Sequence, residues 1–273
     1  MFTKRATIAL HLALAIGLVA MALPFVWMIL GSFKTTAELR QVPPTWIPEH
    51  PTTQSYRDLW DRMDFPRYFF NSTFVALAVT LGNLVFCSML GYALAKLEFP
   101  GKRALFVIVV STLMVPAFVT FMPLFVLVSN LDMANTHAGL ILPFLAGGFG
   151  VFLMRQFISG IPDELLDAGR VDGAGEYAIF FRIVLPLCGP ALATLGVLTF
   201  LAQWNSFLWP LVVASTEDMY TLPVALALFA TGQQESNLAL QLGGATVVVL
   251  PVILVFFALQ RFVIQGIATT GIK

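Results

Sequence analysis

Residues 183–216 read IVLPLCGPALATLGVLTFLAQWNSFLWPLVVAST, 34 positions without one Asp, Glu, Lys or Arg. A helix rises about 1.5 Å per residue, so crossing a hydrocarbon core of ~30 Å takes about 20 residues. This run suffices for one crossing and is too short for two with a connection. Five further runs lack charge: 6–33, 68–95, 104–131, 133–154 and 236–260. Lipid offers backbone N–H and C=O groups no partner, so such runs must satisfy them internally, as helices. A transmembrane barrel would alternate polar and apolar residues in ~10-residue strands, and these runs do not alternate. The expected fold is therefore an all-α integral membrane protein with six transmembrane helices, at about 8–30, 70–95, 104–128, 138–158, 185–210 and 241–262. All belong to a single domain spanning 1–273.

Composition agrees. Of 273 residues, 58% are hydrophobic and 11% charged, with mean hydropathy +0.86. Soluble domains carry about a quarter charged residues. This excludes a disordered chain, a basic nucleic-acid binder and an ordinary cytosolic enzyme. The first run follows Lys4 and Arg5, as a signal peptide would, but it is 28 residues long, against roughly 7–15 for a signal-peptide core. A retained helix is expected.

Short cytoplasmic loops collect Lys and Arg. With both termini cytoplasmic, the inner segments hold Lys4, Arg5, Lys96, Lys102, Arg103, Arg155, Arg170, Arg182, Arg261 and Lys273. The outer side holds Lys34, Arg40, Arg57, Arg62 and Arg67, all in the long extracytoplasmic loop 31–69. The outer loops 129–137 and 211–240 have neither Lys nor Arg. In the long loop, Pro43, Pro44, Pro48 and Pro51 imply extended chain, and Tyr56 to Met63 reads as a short amphipathic helix. Tyr68, Phe69 and Phe70 suit an interfacial aromatic belt. Pro116 and Pro123 imply a bend in the third span. Cys87 and Cys188 fall in or beside spans and read as small core residues.

The cytoplasmic loop 159–184 stands apart, with eight charges between Arg155 and Arg182. Pro162 suits a first helical position, and Asp163 and Glu164 follow where the helix dipole favours acids. Leu165, Ala168, Gly169 and Asp172 share a stripe at helical spacing. Gly173, Ala174 and Gly175 then break the helix, and Tyr177 to Val184 resumes one, with Pro186 marking the start of span five. Small residues at 168, 169, 173 and 174 leave a shallow face that another backbone could approach. A merely connecting loop can be much shorter. A solvated surface helix is the bland alternative.

No phosphate-binding Gly-rich loop, metal-ligand cluster or nucleophile elbow is present. The six spans contain no carboxylate, the group an ion-coupled carrier commonly uses. Uncharged polar residues remain inside them, among them Asn83, Gln203, Trp204 and Asn205. Amides beside an aromatic face suit a neutral hydroxylated solute. Interhelical hydrogen bonding is the structural alternative.

Residues 161–187, IPDELLDAGRVDGAGEYAIFFRIVLPL, resemble the signature loop of binding-protein-dependent ABC importer permeases. That pattern, E-A-A-x3-G-x9-I-x-L-P, falls on Asp167, Ala168, Gly169, Gly173, Ile183, Leu185 and Pro186. Asp167 stands for Glu, and Gly169 for the second Ala. Asn71-Ser72, Gly91-Tyr92-Ala93-Leu94-Ala95-Lys96, Trp204 to Leu211 and the tail from Gln260 are similar to the carbohydrate branch. The closest likeness is to the shorter permease of maltose- and glycerol-3-phosphate-type importers.

The resemblance implies a second homologous permease subunit, two ATP-binding subunits and an extracytoplasmic solute-binding protein, in a bacterial or archaeal cytoplasmic membrane. It implies a coupling helix, with Glu164, Asp167, Ala168, Gly169, Arg170, Asp172, Gly173 and Ala174 docking on the ATPase. ATP and Mg would sit on that partner, with no cofactor, catalytic residue or metal on this chain. A stand-alone secondary carrier or channel for a neutral polar solute is the rival reading, and an intramembrane enzyme is disfavoured by the missing constellation.

Overall fold

A computed structural model of the chain describes residues 4–231 and 237–270. Lys273 lies outside them, as do the side chains of Lys4, Arg5, Arg62 and Arg261. Among the described residues every regular element is helical. The chain runs through α1 (Lys4–Ser32), α2 (Thr36–Leu39), α3 (Gln54–Arg62), α4 (Phe65–Lys96), α5 (Lys102–Met114), α6 (Ala117–Asn130) and α7 (His137–Ile141). A 3-10 turn at Leu142–Phe144 leads to α8 (Gly148–Ser159) and α9 (Asp163–Val171). Then come α10 (Glu176–Ile179), a π-turn (Phe180–Val184), α11 (Leu185–Leu187), α12 (Gly189–Trp204), α13 (Leu208–Val213), α14 (Leu222–Thr231) and α15 (Leu238–Thr270).

Three stretches are unbroken and apolar enough to cross a membrane: Leu10–Ser32, Phe65–Lys96 and Leu238–Phe257. Three more expected spans are bent pairs, which raises the number to six if each pair is one span. Lys102–Met114 and Ala117–Asn130 meet at 105°. Pro116 stands at that break, and its ring bars the preceding Val115 from helical backbone, φ −83° and ψ 120°. Pro123, also expected to bend the chain, is carried inside α6.

The fifth expected span carries its bend just past Pro186. The helix from Glu176 runs on to Leu187 and meets α12 at 80°, so the turn lies at Cys188–Gly189. A proline removes one donor and crowds the carbonyl four residues earlier, here that of Arg182. The π-turn at Phe180–Val184 opens the ladder there and lets the helix continue. The expected loop 211–240 likewise contains the rest of α13, and α14, whose first residues Leu222 and Val224 are fully buried.

The described residues group into two compact units, one within 1–66 and 225–251, the other within 67–224 and 252–273. In the first, the long loop is ordered chain. Ser55 donates to the Ser32 carbonyl at 2.5 Å, Thr36 to Asn237 Oδ1 at 2.8 Å, and the Thr52 N–H to Phe33 at 2.9 Å. Lys34 is 2% exposed, and a buried charge is tolerated only when paired. Its Nζ donates to the carbonyl and hydroxyl of Thr45, lies 3.8 Å from Glu38 Oε1 and sits 5.1 Å from the Trp27 ring. Burial pushes the Glu38 carboxyl up, but the Glu49 N–H, Thr45 and Lys34 outweigh it and hold it below its usual value.

The second unit has two apolar cores at different heights along α4. One holds Val75, Val79, Val128, Leu140 and Trp209. The other holds Cys87, Tyr92, Met154, Ile158, Leu166, Ile179 and Cys188, so both thiols are buried. The expected aromatic belt divides: Tyr68 is buried against Tyr220, while Phe70 is exposed. Successive helical residues point about 100° apart, so three in a row cannot share one surface.

Candidate functional site

The loop after α8 folds as a helix, a glycine bend and a second helix. Asp163 and Glu164 occupy the first turn of α9 and Arg170 the last, both favourable to the dipole. The helix ends in a Schellman motif: Gly173 N–H donates to the Arg170 carbonyl at 3.0 Å, and Ala174 N–H to that of Gly169 at 2.9 Å. Gly173 adopts φ +81°, which an L side chain resists.

The stripe expected from spacing is rotated. Leu166 and Gly169 face inward, whereas Leu165 and Ala168 face out. A Cβ at Gly169 would come within 2.9 Å of Ile183, so Gly169 serves the close approach of the two halves of this loop. The outward surface carries Glu164, Asp167, Ala168 and Asp172, with Ala174 half-buried. Val171 and Tyr177 stand 87% and 75% exposed among these charges.

Two side chains one turn apart on α4 hold this loop. Lys96 Nζ donates to the Ile161 carbonyl at 2.5 Å and to Asp163 Oδ1 at 2.6 Å, at the start of α9. Tyr92 donates to Glu176 Oε2 at 2.5 Å. Glu176 Oε1 accepts from Arg170 Nε at 2.9 Å, and Arg170 Nη1 reaches Asp167 at 2.9 Å, at the other end of α9. The two carboxylates keep the Arg170 pKa above its ordinary value, and Lys96 holds that of Asp163 below its own. A Cβ at Gly91 would lie 2.8 Å from the Arg155 nitrogen, so α4 also touches α8 backbone to backbone. The sequence marked Lys96 and Glu176 as charges, and Tyr92 and Lys96 within a stretch of the family resemblance, but not the contacts they make; long-range pairs leave no signal in spacing.

The four expected pathway residues separate. Asn83 and Gln203 line one cavity of about 260 Å³, with Phe144, Gly147, Phe149 and Thr199. The Asn83 amide is already committed: Nδ2 donates to Val79 and Phe144 carbonyls, and Oδ1 accepts from the Gly147 N–H at 3.2 Å. It pins the break between α7 and α8. Gln203 is half-buried and its amide makes no hydrogen bond among the described residues. Trp204 turns into the core, 1% exposed, against Phe69 and Phe200. Asn205 is exposed and caps α12 by donating to the Leu201 carbonyl at 2.8 Å. A second cavity of about 430 Å³ is lined by Phe118, Thr120, Phe121, Phe144, Ser206 and Phe207. Both open at helix breaks that Pro116, Pro143 and Gly147 could have signalled jointly.

Residues 87–269 match the family of binding-protein-dependent transport system inner membrane components. The chain is 38% identical over 92% of its length to the arabinooligosaccharides transport system permease protein AraQ of Halalkalibacterium halodurans, covering 90% of that protein. It is 31% identical over 92% to the diacetylchitobiose uptake system permease protein NgcG of Streptomyces coelicolor, covering 84%. It is 32% identical over 94% to the sn-glycerol-3-phosphate transport system permease protein UgpE of Pectobacterium atrosepticum, covering 94%. A bacterial ABC transporter involved in the import of the acidic polysaccharide alginate shares the fold, with TM-score 0.85 at 23% identity over 96% of this chain and 99% of that one. An all-helical chain built of unbroken and bent apolar spans, matching over most of its length, belongs to the binding-protein-dependent transport system inner membrane components, the permeases of ABC transporters.

Proposed function

We propose that this chain is one permease of an ATP-driven importer for a sugar or sugar derivative, working beside a second homologous permease. An extracytoplasmic solute-binding protein delivers the solute, and two ATP-binding subunits on the cytoplasmic side supply the energy, with ATP and Mg held there. Both termini face the cytoplasm, and one permease domain spans residues 1–273. The relatives named for oligosaccharides, together with the aromatic cavity walls, support the solute class. Aromatic faces with few polar groups suit a sugar ring.

Residues 163–175 are the coupling element in this reading. The observation that carries it is α9 gripped at both ends from α4 while Glu164, Asp167, Ala168, Val171 and Asp172 face outward. A part that transmits force must be rigid toward its own spans and open toward its driver. Closure of the ATPase pair would shift α9, and Lys96 and Tyr92 would pass the movement to α4. Gln203 offers a free amide to the solute, while Asn83, Trp204 and Asn205 shape the wall.

The test uses the assembled transporter with a cysteine replacing Ala168. Its labelling should be suppressed when the ATP-binding subunits are present and return when they are stripped. Equal labelling with and without them, in nucleotide-free and ATP-bound states alike, would refute the docking role.

A further inference from the structure

We infer that the cleft between the start of α5 and the end of α8 is a binding site for the phosphate of an anionic phospholipid. A cavity of about 640 Å³ opens there, lined by Lys102, Arg103 and Arg155 with Phe99, Phe106 and Glu98. Three bases face one acid, and that acid is 90% exposed and engaged with Lys102 at 2.9 Å. Arg103 has no ion pair among the described residues. The Arg155 guanidinium lies 3.8 Å over the Phe106 ring, and its buried Nε has no hydrogen-bond partner among them. A buried donor left unpaired is costly, so its partner is to be sought in something that enters the cleft.

The helix itself gives no reason for these bases. Lys102 and Arg103 open α5, where the positive end of the dipole disfavours cations. The N-cap is Gly101, which has no side chain to accept from the first turn, where the Lys102 N–H turns back to the Phe99 carbonyl at 3.4 Å. Helix N-terminus and three bases together form an anion site.

Position selects a lipid as the source. The residues after Arg103, and those of α8 before Arg155, carry no charge, so the bases sit where hydrocarbon meets headgroup. α5 buries none of its residues, and Leu105 and Ile108 lie exposed on the same helix, apolar surface that acyl chains can cover. This inference rests on the membrane character of α5 and α8 and is independent of how the ATPase docks.

The test binds dihexanoyl phosphatidylglycerol, dihexanoyl phosphatidylcholine and inorganic phosphate to the delipidated full chain in detergent, read by native mass spectrometry. Phosphatidylglycerol should be retained over phosphatidylcholine. Arg155→Gln should weaken that preference by about fivefold, and the pair Lys102→Gln/Arg103→Gln by more, since each base near an anionic surface contributes a similar factor. Circular dichroism of the second variant, at an exposed first turn, guards against misfolding. Equal retention of both lipids, or a preference the variants leave unchanged, would overturn the site. Inorganic phosphate binding as tightly with the same residue dependence would make it a free-anion site and overturn the lipid assignment. Loss of a co-purifying permease in Arg155→Gln, with lipid preference intact, would assign the cleft to a protein segment instead.

Discussion

Lys96 Nζ stands 2.6 Å from Asp163 Oδ1, across 67 residues of chain and two intervening bent helix pairs. The lysine side chain is 6% exposed and the aspartate 74%, so one partner belongs to the α4 core and the other to the surface. Nζ also holds the Ile161 carbonyl, which ties the last turn of α4 to the chain just before α9. Replacing Lys96 by Met should keep the packing and strand that carbonyl, a cost of about 1–3 kcal/mol. Hydrogen exchange should rise across 161–175 while α8 stays protected. In the assembled transporter, uptake should fall by about tenfold with ATP hydrolysis retained. Parallel loss of both would place Lys96 in assembly rather than transmission.

The same pair has a defined pH response. Lys96 holds the Asp163 pKa below that of a free aspartate, so the folded state binds fewer protons than the unfolded one in that range. The contribution is fully present above about pH 4 and is lost as pH falls through the lowered folded value. The difference in melting temperature between wild type and Asp163→Asn should thus be flat from about pH 5 to 8 and shrink only below about pH 4. A difference that varies between pH 6 and 8 would point to another titrating group.

Gly173 ends α9 with φ +81°, and beyond its two chain neighbours no atom lies within 4 Å of where a Cβ would stand. Any substitution therefore meets backbone strain rather than crowding. Gly173→Ala should destabilise by about 1 kcal/mol, and Gly173→Asn by less, because asparagine tolerates this region. Thermal melts of the purified chain separate the two. Equal loss in both would mean that space, not backbone, sets the requirement.

How much of this was legible beforehand follows from the range of each interaction. Charge-free runs mark where lipid excludes water, so all six expected spans coincide with helices or bent pairs. The Gly173 turn was readable because a Schellman ending is local, as was the acidic start of α9. The inward turn of Gly169 was not, because Leu165, Leu166, Ala168 and Gly169 admit two neighbouring stripes and only the packing of Ile179 and Ile183 selects one. The Tyr92–Glu176 contact spans 84 residues and leaves no periodic trace. Gln203, Trp204 and Asn205 looked like one cluster as consecutive letters, yet the helix sends them to a cavity, a core and a cap.

Asn83 and Gln203 share a cavity but differ in what their amides already do, and substitution should separate them. Asn83→Leu removes a donor to Phe144 and an acceptor for the Gly147 N–H, two backbone groups at the α7–α8 break. Each stranded group costs about 1–3 kcal/mol, so folded protein should drop sharply and residual uptake should keep its wild-type KM. Gln203→Leu strands nothing, because its amide makes no hydrogen bond among the described residues. Its stability should match wild type within about 0.5 kcal/mol. The loss should appear in transport, as a raised KM for the solute in proteoliposomes carrying the complete importer. An unchanged KM in Gln203→Leu would remove this cavity from the solute's route and favour the aromatic cavity around Phe118 and Phe207.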